Sequence, residues 1–162
     1  MKFQPPPTPV TPIAGFEELS VGQSWAVGSF EFDRDDIFEF ARIYDPQPFH
    51  LDEDAAEKSI FKGLAASGFQ TISAAFSLGY RSGLLAKASM GGSGIEEARW
   101  LKPVRPDQAL SLTWTIDSIT PSRSRPDRAT VRIRTDLADP SGEGVLRMVL
   151  VHILAGRATA AP

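Results

Sequence analysis

The chain has no cysteine among its 162 residues, and this absence excludes a disulfide framework, a thiolate zinc site and a cysteine nucleophile. No segment is apolar enough to span a membrane, and the amino terminus has no apolar secretory core. Zinc-binding motifs, phosphate loops, dinucleotide fingerprints and nucleophile elbows are also missing from the sequence. We therefore expect a cytoplasmic protein with no metal ion and no organic cofactor.

Charge and composition narrow the class of protein further. The net charge of −3 offers no basis for binding nucleic acid or a membrane surface. Hydrophobic residues make up 42% of the chain and charged residues 23%, as in soluble globular proteins. Prolines are frequent near the start. We therefore expect a flexible arm over residues 1–15, one domain over residues 16–157 and a loose tail over residues 158–162.

Two helices, separated by an irregular segment with two prolines, are predicted in the first half of the chain. Asp33 has the character of a helix N-cap. Apolar residues follow it at helical spacing: Ile37, Phe40, Ala41 and Tyr44. Pro46 and Pro48 should end this helix and exclude regular structure from residues 45–50, because proline breaks both helices and strand ladders. A short helix is expected next, over residues 52–58.

A longer helix is predicted from Gly68 to about Leu85. Aromatic and aliphatic residues share one stripe of it: Phe69, Ile72, Phe76 and Tyr80. The remaining positions are mostly alanine, serine and glycine. A helix that is apolar on one side and small elsewhere is typical of a buried helix that its neighbours approach closely.

Strand-like segments account for most of the rest of the chain. They cover residues 24–32, 110–116, 131–137 and 145–154. In the first of them Trp25 and Val27 should lie on one face, and Phe30 and Phe32 on the other. Loops with proline and glycine separate the later segments, so four strands in series predict an antiparallel sheet. The expected fold class is α+β, with this sheet wrapped round the long central helix.

Asp45 and His50 are the first candidate catalytic residues. A rigid Pro-Gln-Pro spacer separates them, and this fixes the two side chains relative to each other. A carboxylate held near a histidine can orient a water molecule and move protons near neutral pH. The spacing alone better fits an aspartate that caps the preceding helix or forms an Asx turn, with a histidine at the surface.

Ser67 and Gln70 have the spacing of a capping box at the start of the long helix. The amides of Gly68 and Phe69 would then stay free at a helix N-terminus, where the helix dipole favours negative charge. Free amides in that position can stabilise a developing oxyanion. An ordinary buried helix start would show the same pattern.

The second histidine, His152, alternates with apolar residues of the last strand, so we expect it in the core or at a subunit interface.

Three segments together resemble the MaoC-like dehydratases, which include the R-specific enoyl-CoA hydratases. Asp45, Pro48 and His50 match the family signature Asp-x-Asn-Pro-(aliphatic)-His at the same spacing. Residues 65–68 resemble the family's Val-His-Gly at the start of its central helix, and residues 99–107 resemble its Phe-x-x-Pro-Val-x-x-Gly-Asp. The resemblance covers residues 16–156 and implies a hotdog fold.

The resemblance also implies a reaction and a set of roles. Asp45 and His50 would activate water for addition across a trans-2-enoyl-CoA, in a carbon–oxygen lyase of fatty acid metabolism. The Gly68 amide would bind the thioester oxygen. Four further residues would contact the substrate: Tyr44, Gln47, Ser67 and Phe69. A homodimer or higher homo-oligomer is implied as well, with acyl-CoA lying between the subunits. Gln47 departs from the family, because asparagine is usual at its position.

Two other functions fit parts of the pattern. A hotdog acyl-CoA thioesterase would use the same helix-start amide, although the Asp-x-x-Pro-x-His motif argues against it. A non-enzymatic acyl-CoA-binding module would need no catalytic pair. Basic residues that could meet the phosphates of CoA are few: Arg123, Arg125 and Arg128 in one loop, with Lys102 and Arg105. A solvated hairpin loop explains the first three better than phosphate binding does.

Overall fold

The computed structural model describes residues 1–157, which form one antiparallel sheet and four α-helices. The helices are α1 (Arg34–Tyr44), α2 (Pro48–Leu51), α3 (Glu53–Lys58) and α4 (Gly68–Arg81), and a 3-10 turn covers Phe16–Glu18. The strands are β1 (Lys2–Gln4), β2 (Ser24–Glu31), β3 (Ser89–Trp100), β4 (Leu110–Pro121), β5 (Arg128–Ala138) and β6 (Gly144–Ala155). Their order across the sheet is β1-β2-β4-β5-β6-β3.

Helix α4 packs on the sheet through its small residues, against β2 and β4. Ala74, Ala75 and Leu78 are buried there. Gly79 allows the closest approach, because a Cβ atom at this position would lie 1.9 Å from the ring of Trp114. The prediction of an antiparallel sheet round a long central helix is therefore confirmed.

Two residues of the aromatic stripe of α4, Phe69 and Phe76, are exposed, which the sequence pattern did not predict, whereas Tyr80 of the same stripe contacts Trp114 in the sheet. Phe69 is 62% exposed and Phe76 is 43% exposed. The sheet takes the small face because only small side chains let the helix approach Trp114 so closely. The helix also ends at Arg81 and not near Leu85, since Gly83 adopts a left-handed φ of 81° one residue after the C-cap.

Strand β2 corrects the predicted division of its faces. Val27, Phe30 and Phe32 are all fully buried, although simple alternation places Val27 opposite the two phenylalanines. The register against β4 shifts between Ala26 and Gly28, which marks a bulge, and Gly28 has a φ of 126°. A bulge inserts an extra residue, so alternation is not preserved across it.

The proline-rich segment is attached to the domain at two places, which corrects the expectation of a flexible arm. Lys2–Gln4 pairs with β2 as the outermost strand. Ile13 is buried, and its amide donates to the carbonyl of Leu84 at 2.9 Å. The tail predicted for residues 158–162 lies outside the described residues. Within residues 1–157, no helix has the length and apolar character needed to cross a membrane.

His152 lies in the core, which is one of the two locations that the sequence predicted for it. Its side chain is 1% exposed, and its Nδ1 atom lies 3.0 Å from the hydroxyl of Tyr80. Its Nε2 atom has no hydrogen-bond partner among the described residues. Burial lowers the pKa of His152 to about 4, so the imidazole is neutral in the folded chain at neutral pH.

Replacing His152 with glutamine should flatten part of the pH dependence of stability. In the unfolded chain the histidine titrates near 6.5, so the unfolded state binds the extra proton first as the pH falls. The wild-type free energy of unfolding should therefore drop by about 3 kcal/mol between pH 6.5 and 4 because of this group. Urea unfolding at several pH values measures the difference. Equal slopes in both proteins would contradict a neutral buried His152.

Candidate active site

The loop that follows α1 holds Asp45 and His50 by its own backbone. The Asp45 amide donates to the Ala41 carbonyl at 3.0 Å and ends α1. Pro48 then occupies the first turn of α2, where a missing N–H costs nothing. The expectation that residues 45–50 lack regular structure is therefore wrong for their second half. This short helix turns His50 back toward Asp45.

The two side chains meet at the inner end of this loop. Asp45 Oδ2 lies 3.4 Å from His50 Nε2, and both side chains are largely buried. His50 Nδ1 lies 2.7 Å from the Ala65 carbonyl oxygen. A carbonyl oxygen only accepts, so Nδ1 carries a proton, and in the neutral form of the ring Nε2 is the bare nitrogen that faces Asp45. The alternative of a surface histidine is excluded by this burial.

Two donors hold the Asp45 carboxylate from the other side. The Ser67 hydroxyl donates to Oδ2 at 2.6 Å, and the Gln47 side-chain amide donates to Oδ1 at 2.7 Å. Burial by itself would raise the pKa of Asp45. The hydrogen bonds from Ser67 and Gln47, with the nearby His50, outweigh burial and hold this pKa below its usual value. Asp45 is thus a carboxylate in the folded chain.

The start of α4 differs from the predicted capping box. The Ser67 oxygen accepts from the Phe69 amide at 3.2 Å, and the Gln70 side chain instead donates to the Asp36 carbonyl at 2.9 Å. The Phe69 amide is therefore engaged. The Gly68 amide donates to no atom of residues 1–157, so it stays free at the helix N-terminus.

These groups open into one cavity of about 420 Å³. Its polar lining includes Asp45, His50 and Gly68, together with Gln47. Aromatic rings form much of its wall: Phe49, Phe61, Phe69 and Trp100. The Trp100 indole lies directly over Gly68, where a Cβ atom would be 2.5 Å from the ring, so a larger residue would force this half-exposed ring to move. A cavity that is mostly apolar with a few converging polar groups is typical of a small-molecule site.

Four residues were predicted to contact substrate, and the structure separates them. Gln47 and Phe69 line the cavity. Ser67 is fully buried behind it and contacts Asp45. Tyr44 is 68% exposed, packs against Phe40 and does not line the cavity.

The basic residues suggested for phosphate binding do not gather at the cavity of one chain. Lys102 lines it but pairs with Glu143 and, at 3.6 Å, with Asp139. The loop with Arg123, Arg125 and Arg128 joins β4 to β5 at the opposite end of the sheet. Arg128 pairs with Ala155 of β6, whereas Trp100 at the cavity pairs with Leu146 of the same strand. These two β6 residues are nine positions apart, about 30 Å along a strand, so the arginine loop is far from the cavity.

Sequence comparison agrees with this geometry. A family model described as "MaoC like domain" matches residues 5–136. The chain belongs to this family. A curated relative of this MaoC-like domain is the uncharacterized protein YdeM of Bacillus subtilis (strain 168). It is 33% identical over 119 residues, which are 74% of this chain and 84% of the relative.

Solved structures show the same hotdog fold. A MaoC-like dehydratase from Rhodospirillum rubrum is 39% identical, with a TM-score of 0.82, over 88% of this chain and 97% of that one. The R-hydratase PhaJ1 from Pseudomonas aeruginosa is 23% identical, with a TM-score of 0.68, over 88% of this chain and 86% of that one. The likeness to PhaJ1 concerns the fold alone, whereas the likeness to the Rhodospirillum rubrum protein concerns the family as well.

The sequence did not point to three aromatic residues of the MaoC-like site, Phe49, Phe61 and Trp100. Phe49 packs edge-on against the His50 imidazole, with ring centroids 4.6 Å apart. Phe61 packs against both rings from a loop that has no periodic pattern. Phe49 could have been predicted, because the family signature has a hydrophobic residue at its position. No sequence pattern around Phe61 indicates that it lies at the site.

Replacing Ser67 with alanine should raise the pKa of Asp45. The hydroxyl donates to the ionised carboxylate, so its removal destabilises the charged form and moves protonation to higher pH. Carbon NMR of labelled aspartate carboxyl groups, followed through an acid titration, measures this shift. Ser73→Ala, on the exposed face of the same helix, is the matched control and should leave the Asp45 titration unchanged.

Proposed function

We propose that the chain adds water across the double bond of a trans-2-enoyl-CoA to give a 3-hydroxyacyl-CoA. The observation that carries this proposal is the pairing of two hydrogen-bond acceptors, Asp45 Oδ2 and His50 Nε2, 3.4 Å apart in the wall of the cavity. A free helix-start amide at Gly68 lies in the same wall. Membership of the MaoC-like family supports a hydratase or dehydratase.

A water molecule can lie in the cavity beside the paired acceptors and donate a proton to either of them. Asp45 is ionised and has its Oδ1 and Oδ2 atoms held by Gln47 and Ser67. His50 keeps its Nε2 lone pair free through the Nδ1 bond to Ala65. Both acceptors therefore have a fixed direction, and their shared water should be oriented before the substrate arrives.

The reaction follows from these positions. His50 Nε2 takes a proton as one O–H bond of water breaks, and the hydroxyl oxygen forms a bond with C3. The electrons of the C2–C3 double bond move toward the thioester, whose oxygen becomes negative. The Gly68 amide and the N-terminus of α4 stabilise this charge. His50 then returns its proton to C2, on the face from which the hydroxyl came.

An acyl thioester suits the remaining walls of the cavity. Phe61, Phe69 and Trp100 offer apolar surface for an acyl chain, while Asp45, Gln47 and His50 supply polar groups in the same lining. A role in the fatty acid metabolism of the cytoplasm stays a prediction.

We also propose that the functional unit is a homodimer. Strand β3 is an edge of 12 residues, and most of it is exposed. The opposite edge is only the three-residue β1. A long bare edge favours pairing with a second copy, which would also cover the exposed Phe69 and Phe76. Sedimentation velocity that showed only monomer at assay concentrations would contradict this arrangement.

Variants of the pair test the reaction. Asp45→Asn and His50→Gln should each slow crotonyl-CoA hydration by a factor on the order of 10²–10⁴, because each removes one of the two acceptors that activate water. Loss of the enoyl thioester absorbance gives the rate. The control is Asp54→Asn, an exposed carboxylate on α3. Either variant hydrating at the wild-type rate would show that the pair is not catalytic.

The same reactions, monitored with a thiol reagent, separate hydration from thioester hydrolysis. The Gly68 amide would serve both reactions, since each places negative charge on the thioester oxygen. Hydration leaves CoA esterified, so no thiol should appear while the enoyl absorbance falls. Stoichiometric release of CoA would instead assign the site to a thioesterase. Tight acyl-CoA binding without any turnover would favour a binding module.

A further inference from the structure

The Arg105 guanidinium donates hydrogen bonds to the backbone of one loop. Its Nη1 donates to the carbonyls of Gly63 and Leu64, at 2.6 and 2.9 Å, and its Nη2 donates to the carbonyl of Phe61. A planar guanidinium can reach three carbonyls in fixed directions, which the single ammonium of a lysine cannot do as well. The Arg105 amide is itself held by the Gln108 side chain at 3.1 Å. This residue is therefore not free for a phosphate.

The loop that Arg105 holds has an unusual backbone. Lys62 has a φ of 54° and Gly63 a φ of 134°, so two consecutive residues lie in the left-handed region. Such conformations persist where the surroundings fix them. The adjacent chain is tied to the segment of Arg105, because the Ala66 amide donates to the Val104 carbonyl at 2.9 Å.

The same loop contacts His50 in two ways. The Ala65 carbonyl, one residue beyond Leu64, accepts the Nδ1 proton at 2.7 Å. The Phe61 ring stacks on the imidazole, with an interplanar angle of 27° and ring centroids 6.2 Å apart. Both contacts depend on where the loop lies. The Ala65 bond decides which imidazole nitrogen carries the proton, and the Phe61 contact limits rotation of the ring.

We propose that Arg105 is a positioning residue for His50, acting through the loop of residues 61–65. By holding three carbonyls, it keeps the Ala65 carbonyl under Nδ1 and so keeps Nε2 unprotonated and directed at Asp45. The consequence for catalysis rests on the proposed function. The effect on the tautomer of His50 is a property of the folded chain alone and can be measured without any substrate.

Nitrogen NMR of labelled histidine tests the tautomer directly. The chain has only two histidines, and the signals of His152 are identified by their loss in His152→Gln. At a pH where His50 is neutral, the wild type should show protonated Nδ1 and bare Nε2. In Arg105→Gln the signals should shift toward a mixture with protonated Nε2. Arg105→Lys keeps the charge and should lie between them. The control, Arg147→Gln, removes an arginine that pairs with Asp136 on the sheet.

Kinetics of crotonyl-CoA hydration give the second readout. Misplacement of a catalytic group costs rate more than binding, so Arg105→Gln should lower kcat by about 10–100-fold with little change in KM. A phosphate contact would instead raise KM and leave the tautomer as in the wild type, and this result would overturn the proposal. So would an unchanged His50 tautomer in both Arg105 variants.

The two proposals fail in different ways. If the wild type does not hydrate enoyl-CoA, the proposed function fails, and the NMR comparison still decides whether Arg105 sets the His50 tautomer. If Arg105→Gln does not fold, Arg105→Lys carries the comparison alone. A wild-type tautomer and a wild-type kcat in Arg105→Lys would then overturn the positioning role.

Discussion

The Ser67 hydroxyl joins the two parts of the chain that build the site. It accepts from the Phe69 amide at the start of α4 and donates to Asp45 Oδ2 at the end of α1. One oxygen atom therefore sets the distance between the helix-start amide at Gly68 and the carboxylate that faces His50. Because Ser67 is fully buried, neither bond competes with solvent, and the carboxylate keeps both its charge and its direction.

The sequence carried enough information for the fold class and for the pair at its centre, although it did not predict the edge strand β3. Alternating polarity identified β4 and β5, since each of them buries one face, and a nearly continuous apolar run identified β6. Asp45 and His50 were identified by the Asp-x-x-Pro-x-His spacing, which matches the signature of the MaoC-like family. The N-cap at Asp33 was also readable: its side chain accepts from the Asp36 amide, as local chain geometry requires. These features depend on residues that are near one another in sequence.

What the sequence did not reveal depends on contacts between distant residues. The hydroxyl of Ser67 could cap its own helix or bind a carboxylate 22 residues away, and only the folded chain selects the partners. Hydrophobicity predicted that the Phe69 side of α4 would be buried, but the close contact of Gly79 with Trp114 turns the small face inward. The role of Arg105 was hidden for the same reason, because its partners lie more than 40 residues away.

In the proposed mechanism, Asp45 and His50 direct one water molecule to one face of an enoyl thioester. Hydration of crotonyl-CoA in heavy water, with the product followed by proton NMR, tests it most directly. A single deuterium is expected at C2, placed on the same face as the new hydroxyl at C3, in one diastereomer. A mixture of diastereomers, or release of CoA without a hydroxyacyl product, would contradict it.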